Sequence, residues 1–424
     1  MLPRYADIII DISHEAIDRP FQYRIPDGLR EDIRLGSMVK IPFGRGNHLR
    51  TGYVIGFSDQ TEYQPDRIKE ISELCDRSVP VEGRLLALAA WIRENYGSTM
   101  INAIRTVMPV KKTIRQLVDQ VVVLAENMDT EHLADIREQY HRKHAQAKLR
   151  LLQALEETPE RYLSMDVVKQ KWNISPATLK TMQQDGVITV ISKERYRTAG
   201  VYDYKENFQI TLNNEQQAVV DEVTGDMEQG RQKTYLLHGI TGSGKTEVYV
   251  KIVKKTIEMG KQAIILIPEI ALTYQTVRYF RNYFGDRVTI INSRLSDGEK
   301  YDQFMRAKNG DVDVVIGPRS ALFAPFQNLG IIIIDEEHET SYKSDYPPKY
   351  HARETAVKRA ELEHASVLLG SATPSVESYH RALNGTYRLL ELHERAGSGQ
   401  LAKTSIVDLR KELKAGNRSI ISRE

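Results

Sequence analysis

A chain of 424 residues, 41% hydrophobic and 27% charged, has the composition of an ordinary globular protein and the length of about three domains. A single cysteine, Cys75, excludes an internal disulfide and a cysteine-built zinc site, and a formal net charge of +2 leaves no global basic field, so any nucleic-acid surface must be local. No run approaches the roughly 18 apolar residues of a membrane span, and the N-terminus lacks a signal-peptide pattern, so a cytoplasmic protein without a membrane partner is expected.

Residues 1–110 read as a small β-barrel domain. Short β-branched or aromatic runs at 5–12, 21–25, 37–41 and 51–57 are separated by turn signals at Pro26-Asp27-Gly28 and at 43–47. A helix from about Glu82 to Tyr96 follows, with Leu85, Leu86, Leu88, Ala89 and Ile92 on its apolar face. Phe21 and Tyr23 fall on one strand face, where they can line a pocket or fill the barrel core.

Residues 114–200 turn helical. The spacing predicts one helix over 141–157, a second over 164–172 capped by Ser164, and a third opening at Ser175-Pro176 and ending at Gly186. Residues 187–191 read as a strand and 192–195 as a turn. Three helices and a β-ribbon form the pattern of a winged helix, a variant of helix-turn-helix. Its third helix carries Lys180 and few other basic residues, so DNA contact and protein packing both stay open.

Residues 206–424 alternate strand and helix, with apolar runs at 263–267, 288–291, 312–316, 331–334 and 366–369. Continuous apolar strands separated by helices predict a mostly parallel sheet covered on both faces, an α/β arrangement consistent with a RecA-like P-loop lobe. Within it, Gly239-Ile240-Thr241-Gly242-Ser243-Gly244-Lys245-Thr246 fits the phosphate-binding loop and lies between an apolar strand and an amphipathic helix. The glycines let backbone N–H groups approach phosphates, the helix N-terminus adds partial positive charge, Lys245 neutralises β/γ-phosphate charge and Thr246 ligates Mg²⁺. Asp335-Glu336-Glu337-His338 ends the most apolar strand, placing Asp335 to hold Mg²⁺ and Glu336 to orient an attacking water. Gly370-Ser371-Ala372-Thr373-Pro374 ends another, where Ser371 and Thr373 can sense the γ-phosphate. ATP and Mg²⁺ are the ligands this set predicts.

Taken in order with Leu212–Gln216, Ile267–Thr273 and Ile316–Pro325, these motifs resemble the primosomal replication-restart helicases of superfamily 2. The resemblance implies that Gln216 contacts adenine, and that Glu269, Thr273, Arg319 and Ser320 track single-stranded DNA. It makes Ser341–Arg353 an aromatic-rich loop coupling DNA binding to ATP hydrolysis; Tyr342, Tyr346 and Tyr350, interleaved with Lys343, Lys349 and Arg353, suit base stacking with phosphate attraction. It makes the barrel a 3′-DNA-end-binding domain with a pocket at Phe21, Gln22, Tyr23, Gly44 and Lys69. Gln22 stands where that family commonly has an acid, Asn292 where it has a histidine and Pro318 where it has a threonine.

The resemblance also implies a second motor lobe with a zinc module, which this chain lacks, so a fragment is expected. The implied function is an ATP-dependent 3′→5′ DNA helicase recognising stalled or repaired forks. Its implied partners are branched and single-stranded DNA, primosome proteins and single-stranded DNA-binding protein, at a bacterial nucleoid. The alternatives are a P-loop kinase or GTPase, which would need neither Gly370–Pro374 nor a winged helix, another superfamily 2 translocase, and a non-catalytic fork-binding module.

Overall fold

The structure, a computed structural model, describes residues 3–61, 63–64, 67–75, 83–108, 117–125, 128–158, 162–197, 211–396 and 405–423. The expected domain limits at 110, 114, 200 and 206 lie outside these residues, as does Glu82.

Five antiparallel strands, β1 (Tyr5–Ile10), β2 (Phe21–Arg24), β3 (Met38–Phe43), β4 (His48–Ser58) and β5 (Glu73–Leu74), pair in the order β2-β1-β4-β3-β5. Main-chain bonds from Arg24 N to Lys69 O (2.9 Å) and from Ile71 N to Arg24 O (3.1 Å) join the open edge of β2 to the segment before β5 and close the barrel. Alternation sorts the side chains: Ala6, Ile8, Ile10, Val39, Ile41 and Val54 fill the barrel, while Ile9 and Tyr53 face outward beneath two helices. Those helices are α1 (Gly83–Tyr96), as expected, and α2 (Met100–Val107), which the sequence reading did not anticipate.

The winged-helix unit comprises β6 (Leu117–Leu124), α3 (Thr130–Arg142), α4 (Gln146–Glu157), β7 (Tyr162–Ser164), α5 (Met165–Gln170), α6 (Pro176–Gln184) and β8 (Ile188–Arg195), with sheet order β7-β6-β8. Ser164 and Ser175 cap α5 and α6 as expected. Two expectations are corrected. The single helix over 141–157 is broken before Gln146, where His144 adopts φ 50, a left-handed conformation that interrupts a helix. The turn over 192–195 is the end of β8, held straight by pairing with Leu117–Gln120 of the unanticipated β6.

The remaining elements are α7 (Asn214–Glu228), β9 (Thr234–Gly239), α8 (Lys245–Glu258), β10 (Gln262–Leu266), α9 (Tyr274–Phe284), β11 (Val288–Ile290), α10 (Asp297–Asn309), β12 (Val314–Gly317), β13 (Leu329–Asp335), α11 (Ala352–Glu363), β14 (Ser366–Ser371), α12 (Val376–Leu383), β15 (Arg388–Leu392) and α13 (Leu409–Lys414). The seven strands are parallel, in the order β11-β12-β10-β13-β14-β9-β15. Successive residues divide between two cores: Ala263, Ile265, Ile331 and Ile333 pack under α7, α8 and α9, while Ile264, Leu266, Ile332 and Ile334 pack on the opposite face. That second core is continuous with Leu85, Leu88 and Ile92 of α1 and Ile104 of α2, so the barrel's helices and the seven-stranded sheet share one apolar interior. The winged-helix side is tied in by Arg197, whose main-chain N and Nη1 donate to the buried Asp302 of α10 at 2.6 and 3.0 Å.

A candidate nucleotide crevice and DNA-facing edge

The phosphate-binding loop leaves β9 and enters α8 through two left-handed glycines, Gly242 and Gly244, both at φ 80. A Cβ on Gly244 would meet Gln216 Nε2 at 2.2 Å, so both the conformation and the space require glycine. Lys245 is buried, and its Nζ donates to Gly239 O at 2.9 Å, lying back across the loop. Ser243 Oγ is buried without a partner, an open hydrogen-bonding position in a cradle of backbone N–H groups. Thr241 is exposed at the rim.

Gln216 lies against the phosphate-binding loop. Its Nε2 donates to Ser243 O at 2.8 Å, its Oε1 accepts from Asn213 N at 2.9 Å, and the side chain is buried. With one amide N–H and the carbonyl oxygen so engaged, Gln216 braces the loop.

Thr246 and Asp335 line one cavity of about 350 Å³ between the start of α8, the ends of β10 and β13, and α9. Burial, with Glu336 beside it, pushes the Asp335 carboxyl up to about 6. Tyr249 of α8 donates to Asp335 Oδ1 at 3.0 Å, and a Cβ on Gly370 would meet that hydroxyl at 1.7 Å, so the residue opposite must be glycine. Neither role was visible in the sequence. One carboxylate and one hydroxyl are the donor set expected for Mg²⁺ that also takes substrate phosphates, in contrast to an all-protein cage. Among the described residues no group of three or more His, Cys, Asp or Glu is placed to hold a metal.

Glu336 takes φ 47 at the strand end, a left-handed conformation uncommon for a residue other than glycine. His338 Nδ1 lies 3.6 Å from Glu336 Oε2 and 2.7 Å from Ser371 Oγ, which in turn accepts from Thr373 N at 3.0 Å. The two strand-end motifs, adjacent because β13 and β14 pair, are thereby linked side chain to side chain.

Strand order also builds the face beyond the crevice. Glu269 and Thr273 follow β10, Arg319 and Ser320 follow β12, and Ser341–Arg353 follows β13. These three strands are neighbours, so their loops line one edge. Glu269, Thr273 and Ser320 are exposed there, and Thr273 also caps α9. Arg319 Nη1 donates to Ser341 O (3.1 Å) and Lys343 O (2.5 Å), so its guanidinium holds the aromatic-rich loop in place.

Within that loop the expectation of three stacking tyrosines is corrected. Tyr342 is 1% exposed and its hydroxyl donates to Asp335 O and Leu266 O, while Tyr350 is 5% exposed against Phe323. Only Tyr346, at 79%, offers a ring to solvent. Arg353 is likewise buried on Glu337 at 2.7 Å and is not free for phosphate, whereas Lys343 and Lys349 are exposed.

The barrel holds a second cavity, of about 880 Å³, lined by Phe21, Gln22, Tyr23, Phe43, Gly44 and Lys69 with Arg19, Arg45 and Arg67 around it. All five expected residues meet there. Phe21 stands edge-on to Phe43 at 5.3 Å under the Arg19 guanidinium. Tyr23 is mainly core: it is buried, its hydroxyl donates to Pro42 O, and burial pushes it up to about 12. Lys69 Nζ donates to Gly44 O at 2.8 Å, and Gly44 turns at φ 75. Gln22 Nε2 donates to Gln60 O at 3.3 Å, but its Oε1 is buried without a partner. The arginines were missed; four cations converging on two aromatics in a nearly neutral chain are the signal their scatter in sequence hides.

Residues 7–109 match the family described as 3'DNA-binding domain (3'BD), and residues 213–382 match DEAD/DEAH box helicase. The replication restart protein PriA of Bacillus subtilis is 36% identical, the match covering 99% of this chain and 59% of the relative. Those of Chlamydia muridarum and Haemophilus influenzae are 32% and 31% identical, covering 98% and 93% of this chain and 55% and 53% of theirs. The chain thus spans somewhat over half the length of these relatives. With both matched regions falling on the two cavities just described, the chain belongs to the family of the replication restart protein PriA.

Proposed function

We propose that this chain carries the fork-recognising and first-motor-lobe parts of an ATP-dependent 3′→5′ DNA helicase that reopens stalled or repaired replication forks to primosome assembly. In this reading residues 1–110 bind DNA 3′ ends, residues 114–200 form the winged helix, and residues 206–424 form the first ATPase lobe. The observation that carries it is the meeting of Thr246 and Asp335 in one cavity, with Lys245 and Glu336 their chain neighbours, beside exposed loops that follow the adjacent strands.

The phosphate loop cradles the ATP phosphates with its N–H groups, Gly239 and Gly242 allowing close approach and Ser243 Oγ supplying an unpaired hydroxyl. Lys245 leaves Gly239 O to meet the β/γ-phosphates. Thr246 and Asp335 hold Mg²⁺, which when bound offsets charge on the phosphoryl group being transferred. Glu336 orients the attacking water, and His338 relays its position to Ser371 and Thr373. Glu269, Thr273 and Ser320 contact the DNA backbone, Lys343 attracts phosphate, Tyr346 stacks on a base and Arg319 keeps the loop in place. In the barrel, Phe21 stacks on the terminal base, Lys69 pairs with its phosphate and Gln22 Oε1 accepts from the 3′ hydroxyl. Primosome proteins and single-stranded DNA-binding protein are the proposed partners, at the bacterial nucleoid.

The test is titration of a fluorescent ATP analogue with Mg²⁺, and of forked DNA, against the chain. Binding of both, with nucleotide binding lost in Lys245→Ala and fork binding kept, is expected; a chain that binds no nucleotide refutes the reading. Faster displacement from duplexes with a 5′ tail than with a 3′ tail would reverse the direction.

A further inference from the structure

Glu337, third residue of the Asp335–His338 run, has no part in the chemistry above, yet it is 0% exposed and fully hydrogen-bonded. Its Oε1 accepts from Ser375 N at 2.6 Å; its Oε2 accepts from Arg353 Nη1 at 2.7 Å, Ser378 Oγ at 2.9 Å and Ser375 Oγ at 3.1 Å. Its own N donates to Gly370 O at 3.1 Å, and Arg353 Nη1 also donates to Ser375 Oγ at 2.5 Å.

The partners of Glu337, side chain and main chain, come from three separate places. Arg353 ends the aromatic-rich loop and lies in the first turn of α11, Ser375 caps α12 directly after Gly370–Pro374, and Gly370 ends the apolar part of β14. The loop's neck is closed by Ser344 N donating to Tyr350 O at 2.8 Å. Its tip therefore moves with Arg353 on one side and with Tyr342, whose hydroxyl sits on Asp335 O at 2.7 Å, on the other. A buried ion pair is a poor source of stability compared with apolar packing, but removing one partner is costly, and multiple bonds to one carboxylate fix its geometry closely. A shift of Arg353 thus moves Glu337, next to the strained Glu336 and two residues from Asp335.

We propose that Glu337 is the positioning residue through which DNA contact at the Ser341–Arg353 loop is transmitted to the nucleotide crevice and to Ser371 and Thr373. This rests on the reading of the crevice and loop under Proposed function. The Glu337 carboxylate holds the loop end, the start of α12 and the end of β13 as one body, so the arrangement that suits bound DNA and the arrangement that suits bound nucleotide are the same one.

Linkage makes this measurable without turnover, because each ligand must change the other's affinity by the same factor. The chain is titrated with a fluorescent non-hydrolysable ATP analogue with and without saturating oligothymidylate, and with oligothymidylate with and without the analogue. The parent is expected to show a coupling factor of about fivefold or more. Glu337→Gln is expected to bring it to within about twofold of one, with each ligand alone binding within about threefold of the parent. Ser378→Ala, which removes one donor and leaves Arg353 and Ser375 in place, is expected to give an intermediate factor at an unchanged melting temperature.

A parent-like factor in Glu337→Gln overturns the proposal, and so does a loss of coupling matched by equal losses in the separate affinities. Should Glu337→Gln fail to fold, full coupling in Ser378→Ala overturns it. A parent that binds both ligands with a factor of one also overturns it, whereas a parent that binds neither overturns the reading of the crevice itself.

Discussion

Around the phosphate loop several polar side chains are already held: Gln216 by the main chain of Asn213 and Ser243, Lys245 by Gly239 O, Asp335 by the Tyr249 hydroxyl, Ser371 by His338. The barrel pocket is built from looser material. Arg19, Arg45 and Arg67 stand exposed around it, and the side-chain bonds of its lining include Lys69 to Gly44 O, Gln22 to Gln60 O and Tyr23 to Pro42 O. The crevice sits on strand ends buried from both faces, the pocket on a barrel rim. A site fixed by the surrounding fold loses function steeply when one reacting side chain is removed, while a rim of separate contacts loses it by degrees.

The largest expected effect is on the crevice. Lys245→Ala removes the lysine proposed to meet the phosphates and is expected to weaken ATP-analogue binding by about two orders of magnitude or more, the scale of a lost charge-assisted contact of about 3 kcal/mol. Fork affinity, read by fluorescence anisotropy, is expected to stay within about twofold. Comparable losses in both would erase the distinction between the two sites.

Asp335→Asn is next, and it separates binding from chemistry: nucleotide binding is expected to fall less than hydrolysis, since the proposed Mg²⁺ ligand is lost and the phosphate-binding loop remains. The same variant carries a pH signature. The folded Asp335 carboxyl is raised from 3.8 to about 6, so the folded state disfavours its charge. Below the unfolded value both states are protonated and the group is neutral to stability; as pH rises through about 6, stability is lost. In metal-free buffer Asp335→Asn is therefore expected to be more stable than the parent by about 1–2 kcal/mol near pH 8, after discounting for solvent access at the crevice mouth, and equal near pH 4. A gap that widens on acidification would contradict the assignment of burial as the cause.

Tyr342 and Tyr346 test the same contrast within four residues of loop. Tyr346→Ala is expected to weaken oligothymidylate binding by about 1–3 kcal/mol with an unchanged melting temperature. Tyr342→Ala, which empties a buried position and frees two carbonyls, is expected to cost about 3 kcal/mol or more of stability in chemical denaturation. Equal effects on DNA from both would mean that Tyr342 leaves the core when DNA binds.

Residue type and spacing exposed the motor lobe because its strands are continuous apolar runs and its motifs fall at their ends: Ile331–Ile334 announces both β13 and the position of Asp335. Pattern is silent where a partner far along the chain decides. Gln216 is turned inward by Ser243, and Tyr342 by the carbonyls of Leu266 and Asp335, so identical residue types at Tyr342 and Tyr346 face opposite ways. β15, Arg388-Leu389-Leu390-Glu391-Leu392, carries no alternation that marks a strand and becomes one by pairing with β9. Barrel closure rests on main-chain bonds of Lys69 and Ile71, which side-chain patterns do not record.

The smallest expected effects lie in the barrel pocket, and they bear on the residue that departs from its family's usual acid. Gln22 Oε1 is buried without a donor, so the pocket holds a neutral acceptor where a carboxylate would otherwise accept a hydrogen bond. A terminal 3′ hydroxyl supplies the missing proton; a 3′ phosphate has none to give and sets its oxygens against that acceptor. Capping the 3′ end with phosphate is therefore expected to weaken binding to forks severalfold, about 1–2 kcal/mol, the cost of a buried acceptor left unpaired. Lys69→Ala is expected to weaken hydroxyl-ended and phosphate-ended forks alike by about 1 kcal/mol, because it removes a phosphate partner and one half-exposed bond to Gly44, with little change in melting temperature. Gln22→Leu separates the two contributions: it removes the acceptor and keeps the volume, so the preference for hydroxyl ends is expected to vanish while the effect of Lys69→Ala persists. If Gln22→Leu discriminates hydroxyl from phosphate as well as the parent does, the terminus is read elsewhere, and the barrel's arginines become the contacts to test.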